Sequence, residues 1–92
     1  MTRSVFKYPI FHRLQLALPH GFMVRHVADQ MGTTCLWAEV DPKAPTVLYR
    51  IHRIGTGDDV PEGGVVYYLG TTLEAYGQYV WHYYAEQMEP LP

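Results

Sequence analysis

Nucleophilic catalysis in this chain would have to start from one serine, Ser4, or one cysteine, Cys35, because there are no others. Either would need a general base beside it. Ser4 stands at the start of the chain, and Cys35 sits in the apolar run Cys35-Leu36-Trp37-Ala38, where a thiol packs as a small hydrophobe. Five histidines raise the question of a metal, but His12, His20, His26, His52 and His82 include no His-x-His pair and no His-x-x-x-His spacing, and no second cysteine accompanies them. His52 and His82 could meet across a sheet. Each can equally be read as a half-buried imidazole bonded to a backbone carbonyl or a tyrosine hydroxyl, and His82, set among tyrosines, is the first candidate of the five.

Gly55-Thr56-Gly57 is not followed by a phosphate-cradling pattern, and Asp58-Asp59 would repel an anion. Asp58, Asp59 and Glu62 lack the spacing of a calcium loop and read as a solvated turn. All four aspartates and most glutamates fall in loops or strand ends, so no acid–base carboxylate pair can be assigned. The expectation is a non-enzyme with no catalytic residues, no cofactor and no metal. Two features remain. Arg50, His52 and Arg53 put cationic groups on both faces of one strand, and guanidinium suits a carboxylate or phosphate partner. The aromatic set Tyr67, Tyr68, Tyr76, Tyr79, Trp81, Tyr83 and Tyr84 exceeds what one small core needs, and exposed Tyr and Trp are what interface cores use. The expected binding surface, for a protein or a ligand, is therefore Arg50, His52, Arg53, Tyr68, Tyr79, Trp81, His82 and Tyr83.

Short extended segments must position these groups, because Gly and Pro cut the chain at close intervals. The period-two patterns predict strands from Ser4 to Tyr8, Arg13 to Leu18, Phe22 to Gln30, Thr34 to Val40, Thr46 to Ile54 and Val65 to Leu73. In Phe22 to Gln30 the pattern sets Phe22, Val24 and Ala28 against Met23, Val27 and Met31. Residues 74–88 fit two patterns. Tyr76, Tyr79, Val80, Tyr83 and Tyr84 form a helical stripe, yet Tyr79 to Tyr84 is rich in aromatic and β-branched residues, and Gly77 would weaken a helix by about 1 kcal/mol. Strand is the reading adopted, with a turn near Tyr76-Gly77 and a short C-terminal helix as the alternative. About seven antiparallel strands make an all-β, or mainly β, fold, a small sandwich or open barrel. It occupies one domain, 1–92, with 87–92 as a short tail.

Composition narrows the classes. Ninety-two residues carry 7 Lys+Arg against 9 Asp+Glu, a net charge of −2, which disfavours nonspecific nucleic-acid binding. Hydrophobic residues at 48% and charged residues at only 17% exclude a disordered chain. No run approaches 18 apolar residues and the N-terminus lacks a signal peptide's apolar stretch, so no membrane association is expected. A single cysteine fits a reducing cytoplasm.

Lys7-Tyr8-Pro9, the leucine strand ending at Pro19, Cys35-Leu36-Trp37-Ala38 running into Val40-Asp41-Pro42, Gly55-Thr56-Gly57, Tyr68-Leu69-Gly70-Thr71 and Val80-Trp81-His82-Tyr83 stand in order. Together, over roughly residues 5–85, they resemble a family of small proteins of unknown function carried by bacteriophages and prophages. That family often has His-Pro after Gly-Thr-Gly, where this chain has Asp58-Asp59. The resemblance implies no catalytic residue. It implies a phage-derived binding protein acting in the bacterial host cytoplasm on a bacterial protein or complex, with an inhibitor of host immunity such as an anti-CRISPR as the leading expectation. A binder of a small nucleotide signal and a virion or assembly component are the alternatives. A homodimer through an edge strand is also expected, since small sheets need their edges covered.

Overall fold

A computed structural model describes residues 2–89. Seven strands follow one another: β1 (Ser4–Pro9), β2 (Gln15–Pro19), β3 (Met23–Gln30), β4 (Thr33–Val40), β5 (Thr46–Gly55), β6 (Val66–Glu74) and β7 (Tyr79–Gln87). They form two sheets, ordered β1-β4-β3 and β2-β5-β7-β6, in which every neighbouring pair is antiparallel. The fold is the all-β open sandwich expected from the periodicity. Pro9 and Pro19 each end an edge strand, where a missing N–H leaves no ladder bond broken.

The C-terminal aromatic segment is a strand, and no helix occurs among the described residues. β7 lies between β5 and β6 and is paired along both sides, so tertiary hydrogen bonding reinforces the β preference of its side chains. The strand takes in Gln87, which the sequence had placed in a tail; residues 90–92 of that tail lie outside the described residues. Arg13, expected to open the second strand, stands outside β2 at φ 66° and donates its backbone N–H to the Ile51 carbonyl at 2.7 Å.

The core lies between the sheets. Leu36, Ala38 and Val40 of β4 face Val47, Tyr49 and Ile51 of β5 and Tyr83 and Ala85 of β7, with Leu18, Leu69 and Ile10 filling in. Each buried Leu or Ile here contributes roughly 1.5–3 kcal/mol. β3 corrects the alternation read from its sequence. A bulge between Val24 and His26 puts Val24 opposite Ala38 and Val27 opposite Leu36, so both valines pack against the core, while Ala28, opposite Cys35, turns to the other face. One extra residue in a strand swaps the faces beyond it.

β3 also meets β6. A Cβ on Gly70 would come within 2.7 Å of the Val27 Cβ, so only glycine lets the two sheets approach this closely. Beyond that point the β3–β4 hairpin turns through Met31 and Gly32, at φ 53° and 86°, the doubly left-handed backbone of a tight hairpin. The β6–β7 hairpin turns through Ala75, Tyr76 and Gly77, all at positive φ.

Candidate functional site

A cleft of about 650 Å³ opens between these two hairpin tips. Thr33, Thr34 and Asp29 come to it from the three-stranded sheet, Thr72, Leu73 and Glu74 from β6, Arg53 from β5, and Phe11 from the segment after β1. The register explains the wall facing them. Arg53 opposes Tyr83, and Trp81 is two residues before Tyr83 on β7, so all three lie on the core-facing side of the four-stranded sheet. Tyr83 is covered by the other sheet, Trp81 is half-buried and Arg53 is exposed, so the cover ends between them.

At that margin the Arg53 guanidinium lies over the Trp81 ring, 4.2 Å from its centroid. Such a contact contributes about 0.5–1 kcal/mol at an exposed position. Tyr79 lies nearly parallel to Trp81, with centroids 6.2 Å apart and planes at 8°. The indole N–H donates to Glu74 Oε2. The backbone N–H of Arg53 donates to Nδ1 of His12 at 3.0 Å, which leaves Nε2 to carry the proton of the neutral ring. Partial burial, then the charges of Arg13, Arg53 and His52, hold the His12 pKa below the ordinary imidazole value. The Arg53 guanidinium itself makes no hydrogen bond and no ion pair among the described residues.

The opposite face of the same sheet carries Arg50, His52, Tyr68 and His82. His52 Nε2 meets Glu86 Oε1 at 2.9 Å. His82 is held at both ring nitrogens, Nε2 to Thr56 Oγ1 at 2.9 Å and Nδ1 to Thr71 Oγ1 at 3.0 Å, and Thr71 in turn bonds the Tyr68 hydroxyl. His52 and His82 therefore share a face, but each imidazole has its own partners. Among the described residues no group of three His, Cys, Asp or Glu side chains comes together as a metal-ligand set.

The eight sequence-derived site residues thus divide into two groups. Arg53, Trp81 and Tyr83 line the cleft and Tyr79 stacks on Trp81 beside it; Arg50, His52, Tyr68 and His82 belong to the far face. Tyr83 needs correcting as a surface residue, because it is 3% exposed and belongs to the core. Its ring forms part of the cleft wall and its hydroxyl lies 3.5 Å from Thr34 Oγ1. Residues missed from the sequence are Phe11, His12, Asp29, Thr33, Thr34, Thr72, Leu73 and Glu74. Of these, Glu74 alone carried a local signal, a carboxylate beside the turn that returns the chain to Tyr79 and Trp81.

Compared with known proteins, the sequence matches the model of a domain of unknown function (DUF7352) over residues 1–91. No curated protein and no solved structure matches it.

Proposed function

The chain belongs to the DUF7352 family, a domain of unknown function, and we propose that it is a non-catalytic binding protein that receives a segment of a bacterial protein partner in the cleft between its hairpin tips. The observation that carries this reading is the Arg53–Trp81–Tyr79 stack at the margin of the cleft, an uncompensated guanidinium braced on aromatic rings. Arg, Trp and Tyr are the side chains that dominate binding energy at protein interfaces. Phe11, more than half exposed, lines the same cleft, and such an exposed apolar side chain gains most when a partner covers it.

The resemblance to phage and prophage proteins supports a narrower form of the reading: a phage-derived inhibitor of a host defence complex, such as an anti-CRISPR, acting in the bacterial cytoplasm. The test is phage plating on a CRISPR-immune strain expressing the chain. Wild type restores plating and Trp81→Ala does not; a wild type that leaves immunity intact against every CRISPR type assayed sinks the inhibitor reading. Affinity capture with both proteins then reads docking separately, through a partner retained by wild type and lost by the variant.

The cleft volume favours one alternative, since about 650 Å³ is within the roughly 300–1,000 Å³ of small-ligand sites. A thermal-shift panel of cyclic nucleotides and ADP-ribose derivatives decides it. A rise of several degrees with one compound supports a nucleotide-signal binder, and no rise across the panel removes it. A homodimer is compatible with either reading, as β1 leaves an unpaired edge beside the exposed Val5 and Phe6; light scattering at the mass of one chain would exclude it.

A further inference from the structure

The five arginines divide by partner. Arg3 and Arg25 both close on Glu39, at 2.9 and 2.8 Å. Arg13 and Arg53 make no ion pair among the described residues and lie along one corner of the four-stranded sheet, whereas Arg50 is on the far face, opposite Glu86. The Arg13 backbone N–H bonds the Ile51 carbonyl, and Arg53 is held at its backbone by His12. His52 stands between Arg50 and Arg53 but is engaged by Glu86.

Two guanidiniums without an ion-pair partner, in a chain of net charge −2, make a local field opposite in sign to the molecule's own. Each offers five N–H donors and no acceptor. Arg53 is also braced: with its plane already resting on Trp81, it loses less freedom on binding an anion than a free side chain would. His12, held neutral by its surroundings, adds an Nε2–H donor on the Phe11–Arg13 segment. The cleft beside this corner is not uniformly positive. Asp29 and Glu74 line it, and Asp58-Asp59 follow β5. A run of phosphodiesters would lay several negative charges against those carboxylates. A chain with one or two carboxylates next to an apolar side chain would not.

We propose that the arginine corner and the cleft together recognise an acidic peptide segment, with a carboxylate on Arg53 and Arg13 and an adjacent aliphatic or aromatic side chain against Phe11. This rests on the docking function proposed above and names the chemistry of what docks.

The test is selection of a random dodecapeptide display library on the full chain, followed by affinity measurements on the recovered peptides. The expected peptides carry Asp or Glu next to Leu, Ile, Phe or Trp. Their binding weakens at least about ten-fold in Arg13→Ala/Arg53→Ala, and in the bulk-preserving Arg13→Gln/Arg53→Gln should either alanine variant fold poorly. It is unchanged in Arg25→Ala, which removes an arginine already paired with Glu39. Peptides without an acidic excess, acidic peptides that bind the double variants as tightly as wild type, an empty selection, or tighter binding of a twelve-residue oligothymidylate each overturn the proposal. Trp81→Ala separates the two levels. Peptides that lose binding with Trp81→Ala but not with the arginine variants leave the docking reading standing without its acidic partner, and peptides indifferent to all the variants remove both.

Discussion

The two faces of the four-stranded sheet are built from the same side-chain types, yet they behave differently. On the outer face each histidine finds a partner within the sheet: His52 meets Glu86, and His82 is strung between Thr56 and Thr71, with Tyr68 closing the chain. On the core-facing side, Arg53 rests on an aromatic platform and makes no ion pair among the described residues. The difference follows from what stands across the ladder. His82 has Thr71 directly opposite and bonds its hydroxyl, whereas Trp81, between Thr72 and Gly55, gives its N–H to Glu74 and its ring face to Arg53. A satisfied network stiffens a surface, whereas an aromatic shelf carrying a free cation leaves interactions to be made.

The sharpest break of this contrast is at two neighbouring positions on β7. Tyr83→Ala empties a core site and should cost about 3–5 kcal/mol, whereas His82→Ala on the other face should cost less than about 1.5 kcal/mol. Urea denaturation of the two variants checks this, and equal losses would mean that the outer network carries as much of the fold as the core. Next comes binding. Trp81→Ala should weaken the partner complex by about 2 kcal/mol or more, and Tyr68→Ala, equally aromatic but on the outer face, should leave it within about two-fold. A larger effect from Tyr68 in calorimetric titration would move the interface to the far side. Gly70→Ala should destabilise by about 1–3 kcal/mol through the Val27 clash, and Val27→Ala should recover part of that loss.

The smallest expected effects are in pH. The folded chain holds the His12 pKa below its ordinary value, so the unfolded chain takes up that proton first. The resulting stability is fully present above about pH 6.5 and declines as pH falls through that value toward the folded pKa. His12→Gln, which keeps an acceptor for the Arg53 N–H, should flatten the denaturation midpoint between about pH 7.5 and 5.5. Glu39 works at lower pH. Hydrogen bonds from Arg25 and then Arg3 depress its pKa, so its contribution is present above the ordinary carboxylate range and lost as pH falls through its folded value. Glu39→Gln should reduce the acid sensitivity of the melting temperature, and an unchanged acid limb would show that the Glu39 clamp adds nothing to the fold.

Most of the strand pattern was legible because seven period-two runs are separated by Gly and Pro, and turn chemistry and alternation agree there. Less was legible where alternation has no sign. In β7 both faces are aromatic, Tyr79, Trp81 and Tyr83 against His82 and Tyr84, so the pattern could not say which set faces the core, and Tyr83 was expected at the surface. In β3 the bulge beside Arg25 reset the faces without a glycine or proline to mark it. The site residues from the other sheet were out of reach for a different reason. Thr33 and Thr34 meet Arg53 and Trp81 at the cleft only through sheet packing, which no local spacing encodes. The division of cations was likewise invisible, because Arg3, Arg25 and Glu39 are distant in sequence and join across the three-stranded sheet.

The contact of Gly70 with Val27 has a mechanical meaning. It is a fulcrum, and the hairpin tips are the ends of two lever arms that run from it to the cleft. From Gly70 to Glu74 the arm is about 13 Å long at the usual rise per residue. A tilt of about 5° at the fulcrum therefore changes the gape at the tips by about 1 Å, enough to admit or refuse a methyl group. The width of the cleft is thus set by one glycine and one valine that do not line it.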